Sequence, residues 1–317
     1  MKSIQINRYG GREVIEVNNA ASLRNPSSEE ILVNVKAAGV NPADWKIREG
    51  YFQQMAHLQF PSTLGNDFSG IIKELGEGVS QSNSGLKQGD EVYGQASAVF
   101  GGGSGAFAEL ALVGKDMIAY KPRTLSHTEA AALPTVGISA WQGLVETIGL
   151  SKDKKILIHG GAGGIGSIAI QLAKHMGAYI ATTVSTSDKQ FVRELGANQV
   201  IDYKTENFED ILHDYDAVFD TIGGDTYKRS FKILRKSSGI ITSMLEQPNS
   251  ELMDRYGVKA FVQFSQANKQ LLTKLAEWVD ENNIKMNIDK TFSIDEAAKA
   301  LDYQKDAHPR GKVVLTV

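Results

Sequence analysis

The sequence predicts an α/β protein in which a doubly wound parallel sheet is inserted into a β-barrel-like domain. Residues 1–125 contain short β-rich segments separated by glycine-marked turns, which is typical of a small barrel. After about residue 126 strands alternate with helices, the order that forms a parallel sheet. The final segment, 312–317, has a strand pattern with no helix after it. We therefore predict one domain of residues 1–126 and 265–317, and a second of residues 127–264.

Composition limits the function classes. The 317 residues carry 34 Lys and Arg against 37 Asp and Glu, a net charge of −3, so we expect no nucleic-acid partner. The first eight residues lack an apolar signal region, and no run of 18 apolar residues occurs, so we expect a soluble, cytoplasmic protein without membrane association. The chain has no cysteine, which excludes disulfides, thiolate catalysis and zinc sites that need sulfur.

The elements follow from local periodicity. In the first domain, β-rich or small-residue runs predict strands at 31–36, 69–74 and 105–110, and residues 89–94 predict a turn that leads into a strand. In the second, apolar runs predict strands at 155–159, 178–184, 199–201, 216–219, 239–242 and 259–264. Residues at helical spacing predict helices that end at Gly177 and Gly196. A longer amphipathic helix is expected over roughly 267–281.

A glycine motif, Gly161-Ala162-Gly163-Gly164-Ile165-Gly166, follows an apolar strand and opens an amphipathic helix. In this context the first glycine makes a tight turn, the second admits a pyrophosphate, and the third lets the helix pack closely on the strand. The helix N-terminus offers free N–H groups to the phosphates. We predict that Gly161, Gly163, Gly164, Ile165 and Gly166 bind a dinucleotide. The alternative is a tight strand–helix turn with no ligand.

The end of the next strand distinguishes the two nicotinamide dinucleotides. An NAD site usually carries an acidic residue there, whereas this chain has Ser185 and Thr186. Asp188 is the competing acid, but its position fits the first turn of the following helix. Lys189 adds a positive charge suited to a 2′-phosphate. We therefore predict NADPH, bound partly by Ser185, Thr186 and Lys189.

Ordered motifs extend over nearly the whole chain: Ala37-Ala-Gly-Val-Asn-Pro-Ala-Asp44, Gly65-Asn-Asp-Phe-Ser-Gly70, Gly89-Asp-Glu-Val-Tyr-Gly94, Ala130-Ala-Ala-Leu-Pro134 and the glycine motif. Together they resemble the medium-chain dehydrogenase/reductase superfamily in its zinc-independent quinone oxidoreductase branch, which includes zeta-crystallin-like proteins and enone reductases. The resemblance implies a GroES-like β-barrel catalytic domain with an inserted Rossmann doubly wound parallel sheet.

The resemblance also gives the missing cysteine a meaning. Zinc alcohol dehydrogenases of this superfamily carry Cys where this chain has Asn41, and a His-Glu pair where it has Asn66-Asp67. The six histidines are scattered without ligand spacing. We therefore expect no metal in the reaction.

The resemblance implies further site residues. Asn41 is expected to lie near the nicotinamide, with capping of the Asn-Pro turn as the alternative role. Two residues correspond to family positions that touch the cofactor, Thr135 at the nicotinamide ribose and Tyr203 at the 2′-phosphoadenosine. Thr221 and Ser243 follow strands at the ligand-binding edge of the sheet. Weaker candidates are Phe264 and Lys312, for which packing or surface roles are equally open.

Lys46 marks a departure from the family pattern. Many quinone oxidoreductases have Tyr at this position, whereas the run Asp44-Trp45-Lys46 is similar to the enone-reducing relatives. A lysine here can stabilise the enolate that forms after hydride transfer, although a solvated helix face is the alternative. Asp44 either orients Lys46 or caps a helical turn.

We therefore expect an enzyme that transfers hydride from NADPH to a quinone or an α,β-unsaturated carbonyl compound. Two other functions remain open at this point. One is a zinc-free alcohol or aldehyde reductase, and the other is a non-catalytic NADPH-binding protein like a crystallin. The expected partner is a small-molecule quinone or enone. Because dimers are common among the relatives, the resemblance also implies a homodimer.

Overall fold

The computed structural model describes residues 1–55, 57–82, 85–100 and 103–317. It contains two compact units, Met1–Thr135 with Ala267–Val317, and Val136–Gln266. The first change of unit therefore lies at Thr135 and not at residue 126. The reason is that the helix His127–Ala132 packs on strands of the first unit, and its backbone leaves no room for a side chain at Gly39.

The strands of the described residues, numbered in chain order, are β1 (Ser3–Ile6), β2 (Ile15–Asn18), β3 (Glu30–Val40), β4 (Ser62–Thr63), β5 (Asp67–Leu75), β6 (Glu91–Gln95), β7 (Leu110–Gly114), β8 (Ile118–Tyr120), β9 (Lys155–His159), β10 (Tyr179–Val184), β11 (Gln199–Asp202), β12 (Ala217–Asp220), β13 (Ile240–Ser243), β14 (Lys259–Val262), β15 (Ile288–Ser293) and β16 (Lys312–Thr316).

The α-helices are α1 (Pro42–Arg48), α2 (Glu77–Gln81), α3 (His127–Ala132), α4 (Pro134–Trp141), α5 (Gly164–His175), α6 (Lys189–Leu195), α7 (Phe208–Ile211), α8 (Gly224–Ser230), α9 (Ser250–Tyr256), α10 (Lys269–Asn282) and α11 (Ala297–Asp306). A π-helical turn, Gln142–Thr147, continues α4. Within the described residues, no helix combines the length and apolar composition needed to cross a bilayer.

The first unit contains a seven-stranded sheet in the order β15-β16-β3-β5-β6-β8, with β7 also paired to β3, and a three-stranded sheet β2-β1-β4. Strand β16 pairs antiparallel with β3, so the prediction that the last strand returns to the first domain is confirmed. The core of this unit is apolar and includes Ile31, Val33 and Phe68. Its burial holds the ends of β3 and β5 in place.

One predicted strand of the first unit is wrong. Residues 105–109 do not form a regular strand, and β7 begins only at Leu110. The backbone of Phe107 is instead shared between two neighbours, since its N–H donates to the Leu64 carbonyl and its carbonyl accepts from the N–H of Ile4. These bonds join the two sheets of the unit and replace a continuous ladder.

The second unit is a six-stranded parallel sheet in the order β11-β10-β9-β12-β13-β14. The order runs outward from β9 in both directions, which is the doubly wound arrangement. Buried residues on one face include Leu157, Val218 and Ile241. In such sheets ligands bind at the carboxyl ends of the strands, where the order reverses. The predicted fold class, with its parallel sheet inserted between parts of the β unit, is confirmed.

Candidate active site

The glycine motif forms the turn between β9 and α5. The N–H of Gly163 donates to the carbonyl oxygen of Gly160 at 3.0 Å and closes the turn. The positive φ at this turn, 69°, belongs to Gly160, while Gly161 lies inside the turn without a positive φ. Gly161 is needed for a different reason, because a side chain there would overlap the hydroxyl of Thr182.

The N-terminus of α5 is built to receive an anion. A side chain at Gly166 would overlap the backbone of Gly160 and Gly161, so only glycine lets the helix come this close. Gly163 is the N-cap and carries no side chain, so the first-turn N–H groups of Gly164 and Ile165 face no capping group. A Cβ built on Gly163 has its nearest contact at 3.4 Å, which leaves a cradle for a phosphate. The motif fits a dinucleotide pyrophosphate.

Behind this turn lies His159, whose role the sequence reasoning missed. Its ring is fully buried and bonds Thr183 Oγ1 and Ser230 Oγ, each at 2.9 Å. Ser230 donates its own hydrogen to the Thr226 carbonyl, so His159 Nε2 is the donor toward Ser230. Burial lowers the pKa of His159 to about 4, so the ring is neutral at physiological pH. It joins β9, β10 and α8 beneath the turn.

Thr221 and Ser243 lie at the predicted edge of the sheet, but both hydroxyls donate hydrogen bonds to residues of the sheet itself. Thr221 Oγ1 donates to the His159 carbonyl at 2.8 Å. Ser243 Oγ donates to Asp220 Oδ2 at 2.7 Å. The fully buried carboxylate of Asp220 also accepts the N–H of Gly223, which shapes the loop after β12. Direct contacts of Thr221 and Ser243 with a cofactor stay predictions.

At the end of β10, the residues predicted to bind a 2′-phosphate form hydrogen bonds and ion pairs with acidic side chains. Ser185 Oγ donates to Asp188 Oδ2 at 2.7 Å, and Thr186 Oγ1 donates to Asp202. Lys189 Nζ lies 3.7 Å from Asp202 Oδ2 and 3.5 Å from an oxygen of Glu206. The sequence reasoning missed Asp202 and Glu206 because they belong to the next strand and loop. Asp202 stands opposite Val184 in the sheet, a pairing that only the register reveals.

Tyr203 directly follows Asp202, and its side chain is 60% exposed. An exposed ring beside the end of β10 is free to stack on an adenine, so the predicted role is compatible with its position. Phe264, the weaker candidate, is also exposed, at 62%.

In the first unit, the buried carboxylate of Asp67 organises a polar cluster. Oδ2 accepts from Asn41 Nδ2 at 2.9 Å and from the N–H of Thr135 at 3.1 Å. Oδ1 accepts from Gln95, from Asn66 and from the Thr135 hydroxyl at distances of 3.0, 3.2 and 2.8 Å. A carboxylate that accepts this many bonds is well satisfied without water. The cluster fixes Asn41 and Thr135, two predicted site residues.

Lys312 lies inside this cluster with a relative exposure of 4%. Its ammonium donates to the Val40 carbonyl at 2.9 Å and to Asn41 Oδ1. The Asn41 amide is therefore held at both ends, by Lys312 and by Asp67. Burial lowers the pKa of Lys312, and the charges of Asp67 and Asp44 oppose that shift. A direct contact of Lys312 with the cofactor stays a prediction.

Asp44 caps α1. Its Oδ2 accepts from the N–H of Asn41 at 2.7 Å and completes a capping box, so the capping role weighed from the sequence is present. Its carboxyl is fully buried, and Oδ1 has no hydrogen-bond partner among the described residues. Burial, aided by the charge of Asp67, raises the pKa of Asp44 to about 7.

Lys46 lies on α1 next to aromatic side chains. Its Nζ is 5.5 Å from the centroid of the Trp45 ring, within the range of a cation–π contact. Trp45 also packs edge-on against Tyr51, which is 66% exposed. The structure thus places the half-buried Lys46 beside an aromatic pair, one member of which is exposed.

Comparisons with known proteins agree with this architecture. The family model for the alcohol dehydrogenase GroES-like domain matches residues 27–123, and the zinc-binding dehydrogenase model matches residues 195–315. The chain is 34% identical to 2-methylene-furan-3-one reductase of Solanum lycopersicum, over 99% of this chain and 79% of the relative. It is 33% identical to the chloroplastic NADPH-dependent alkenal/one oxidoreductase of Arabidopsis thaliana, with the same coverage. The quinone oxidoreductase structure from Coxiella burnetii superimposes with a TM-score of 0.88, at 33% identity, over 100% of this chain and 99% of that one.

The chain belongs to the medium-chain dehydrogenase/reductase superfamily. The family resemblance drawn from the ordered motifs is confirmed, as is the GroES-like and Rossmann architecture that it implied. One of the matching superfamily models carries zinc binding in its description. Across residues 1–55, 57–82, 85–100 and 103–317, no group of three or more His, Cys, Asp or Glu side chains is arranged to hold a metal ion.

At the two glycines at the start of α5, we expect an added methyl group to have different effects. At Gly163 it affects the phosphate cradle, and at Gly166 it affects stability. Gly163→Ala leaves the fold intact, because the new Cβ meets ordinary packing at 3.4 Å, but the methyl group enters the phosphate cradle. Gly166→Ala overlaps the backbone of Gly160 and costs roughly 1–3 kcal/mol of unfolding free energy. Urea unfolding and NADPH titration measure both effects. Equal loss of stability in the two variants would contradict this assignment.

The raised pKa of Asp44 predicts a pH-dependent effect of Asp44→Asn. A carboxyl with a raised pKa favours folding at low pH, and this contribution is lost as pH rises from its usual 3.8 to about 7. Each pH unit inside that window lowers stability by on the order of 1 kcal/mol. The neutral amide removes this dependence, so the variant gains stability relative to the wild type between pH 5 and pH 8. A difference between the two proteins that is the same at both pH values would contradict the assignment.

Proposed function

We propose that this protein is a zinc-independent oxidoreductase that uses NADPH to reduce quinones or α,β-unsaturated carbonyl compounds. The observation that carries the proposal is the uncapped N-terminus of α5, with its glycine cradle, in a chain that also carries Lys46 and Asn41 at the matching family positions. When bound, NADPH supplies the hydride. Names of the relatives, which include an enone reductase and an alkenal/one oxidoreductase, support this substrate class.

The surroundings of Lys46 suit an uncharged carbonyl substrate. Its ammonium lies beside the ring of Trp45, which packs edge-on against Tyr51, and Tyr51 is 66% exposed. Such apolar surface favours a flat organic molecule over a sugar or a phosphate ester. The ammonium of Lys46 donates to the substrate oxygen and stabilises the negative charge that develops there once the β-carbon has accepted hydride. Water or a side chain then protonates the α-carbon.

The polar cluster around Asp67 supports a reaction without metal. In zinc-dependent relatives the positions of Asn41 and Asn66-Asp67 hold metal ligands. Here the Asn41 amide and the Asp67 carboxylate bond each other, and the ammonium of Lys312 bonds Asn41. The ammonium of Lys312 thus already partly compensates the negative charge of the Asp67 carboxylate. Asn41 keeps one amide N–H beyond its bond to Asp67, and this hydrogen is the donor that we assign to the carboxamide of the cofactor.

Location and assembly belong to the same proposal. We propose a cytoplasmic location, although the relatives that match this chain include proteins named as mitochondrial and as chloroplastic. We also propose a homodimer, and this part of the proposal rests only on the fact that dimers are common in this family.

Lys46→Ala tests the assigned chemistry. Loss of the oxyanion donor lowers the rate of enone reduction by roughly 10²-fold or less, while NADPH affinity stays nearly constant because Lys46 acts on the substrate. NADPH oxidation is followed with a panel of quinones, enones and simple aldehydes. A wild-type preference for simple aldehydes would favour an aldehyde reductase, and no oxidation with any compound would remove the enzymatic function.

Lys305→Ala is the matched control. Lys305 lies on the same Trp45 ring at 4.7 Å, but its charge pairs with Glu49 at 2.8 Å. This variant disturbs the same tryptophan without removing a substrate contact, so its enone rate remains close to that of the wild type. An equal loss in both variants would show that Lys46 supports Trp45 and not the reaction.

The cofactor preference is tested separately. Titration of nucleotide fluorescence with NADPH and with NADH should give the lower Kd for NADPH, because a serine and a threonine stand where NAD-specific sites carry an acid. Tighter binding of NADH would overturn the preference while leaving the oxidoreductase proposal intact.

A further inference from the structure

The predicted 2′-phosphate lysine already has anionic partners. Lys189 Nζ lies 3.5 Å from Glu206 Oε2 and 3.7 Å from Asp202 Oδ2, and its side chain is only 28% exposed. One positive charge therefore faces two negative charges at this corner of the sheet. A phosphate that approaches Lys189 must compete with both carboxylates.

The two acids differ in how tightly the fold holds them. Asp202 is buried at the end of β11 and accepts bonds from the Thr186 hydroxyl and the N–H of Lys204. Glu206 lies in the following loop, and its side chain is 38% exposed. Its Oε2 accepts the N–H of Asp202 at 2.9 Å, which directs the carboxylate toward Lys189.

We propose that Glu206 is a specificity-determining residue, which holds Lys189 in an ion pair and thereby limits the preference of this protein for NADPH over NADH. The inference rests on the proposed function, because it requires a dinucleotide at the end of β10. NADH carries a 2′-hydroxyl and needs no cation there, so the ion pair does not affect its binding. NADPH brings a phosphate that must share Lys189 with Glu206. Lys189 can therefore bind the 2′-phosphate, but Glu206 neutralises part of its positive charge.

Glu206→Gln tests the proposal. Glutamine keeps the length of the side chain and an oxygen that accepts the N–H of Asp202, so the loop is preserved while the negative charge is removed. Since exposed ion pairs contribute up to about 1 kcal/mol, the ratio of Kd for NADH to Kd for NADPH should rise by about two- to fivefold. Binding is measured by titration of nucleotide fluorescence with no carbonyl substrate present.

The matched control is Glu194→Gln on α6. It makes the same change in net charge, but Glu194 accepts a bond from Gln190 and is not a partner of Lys189. We expect its Kd ratio to equal that of the wild type. A rise in both variants would assign the effect to net charge and overturn the role of Glu206.

Lys189→Met, alone and combined with Glu206→Gln, completes a double-mutant cycle. If Glu206 acts through Lys189, then Glu206→Gln has no effect on the ratio in the Lys189→Met background. An unchanged or lower ratio in Glu206→Gln alone would overturn the inference and would make Glu206 a residue that orients Lys189 for the phosphate or plays no part. Failure of the wild type to bind either nucleotide would instead refute the proposed function.

Discussion

The close approach of α5 to the end of β9 is the constraint on which the cofactor side of this protein depends. Gly166 touches the backbone of Gly160, and no side chain fits between them. This contact brings the helix N-terminus to the carboxyl edge of the sheet, where its unpaired N–H groups can meet a phosphate. The buried, neutral His159 ties the same strand end to β10 and α8, so the turn rests on a satisfied polar network.

In the first unit, a buried carboxylate has the corresponding role. Asp67 collects hydrogen bonds from Asn41, Gln95 and Thr135, and Lys312 adds an ammonium on the other end of the Asn41 amide. Buried polar groups of this kind are stable only when nearly every atom is partnered. The positions that hold zinc ligands in metal-dependent relatives therefore contain a hydrogen-bonded set that positions side chains.

The sequence predicted the parts of this protein that local rules determine. Hydrophobic periodicity located β9, α5 and α10, and the glycine motif marked the phosphate turn. It could not reveal that Asp202 lies opposite Val184, or that Lys312 returns 271 positions later in the chain to bond Asn41, because sheet pairing decides both. It also could not show that the positive φ beside this turn belongs to Gly160, because residue spacing does not determine backbone dihedral angles.

We propose that the chain transfers a hydride from NADPH to the β-carbon of an activated carbonyl compound without a metal. The most direct measurement uses chelator-treated protein and NADPH deuterated at both C4 positions, with the enone product analysed by NMR. We expect one deuterium at the β-carbon, and no change in rate when zinc is added. Product without deuterium, or a rate that appears only after zinc is restored, would contradict it.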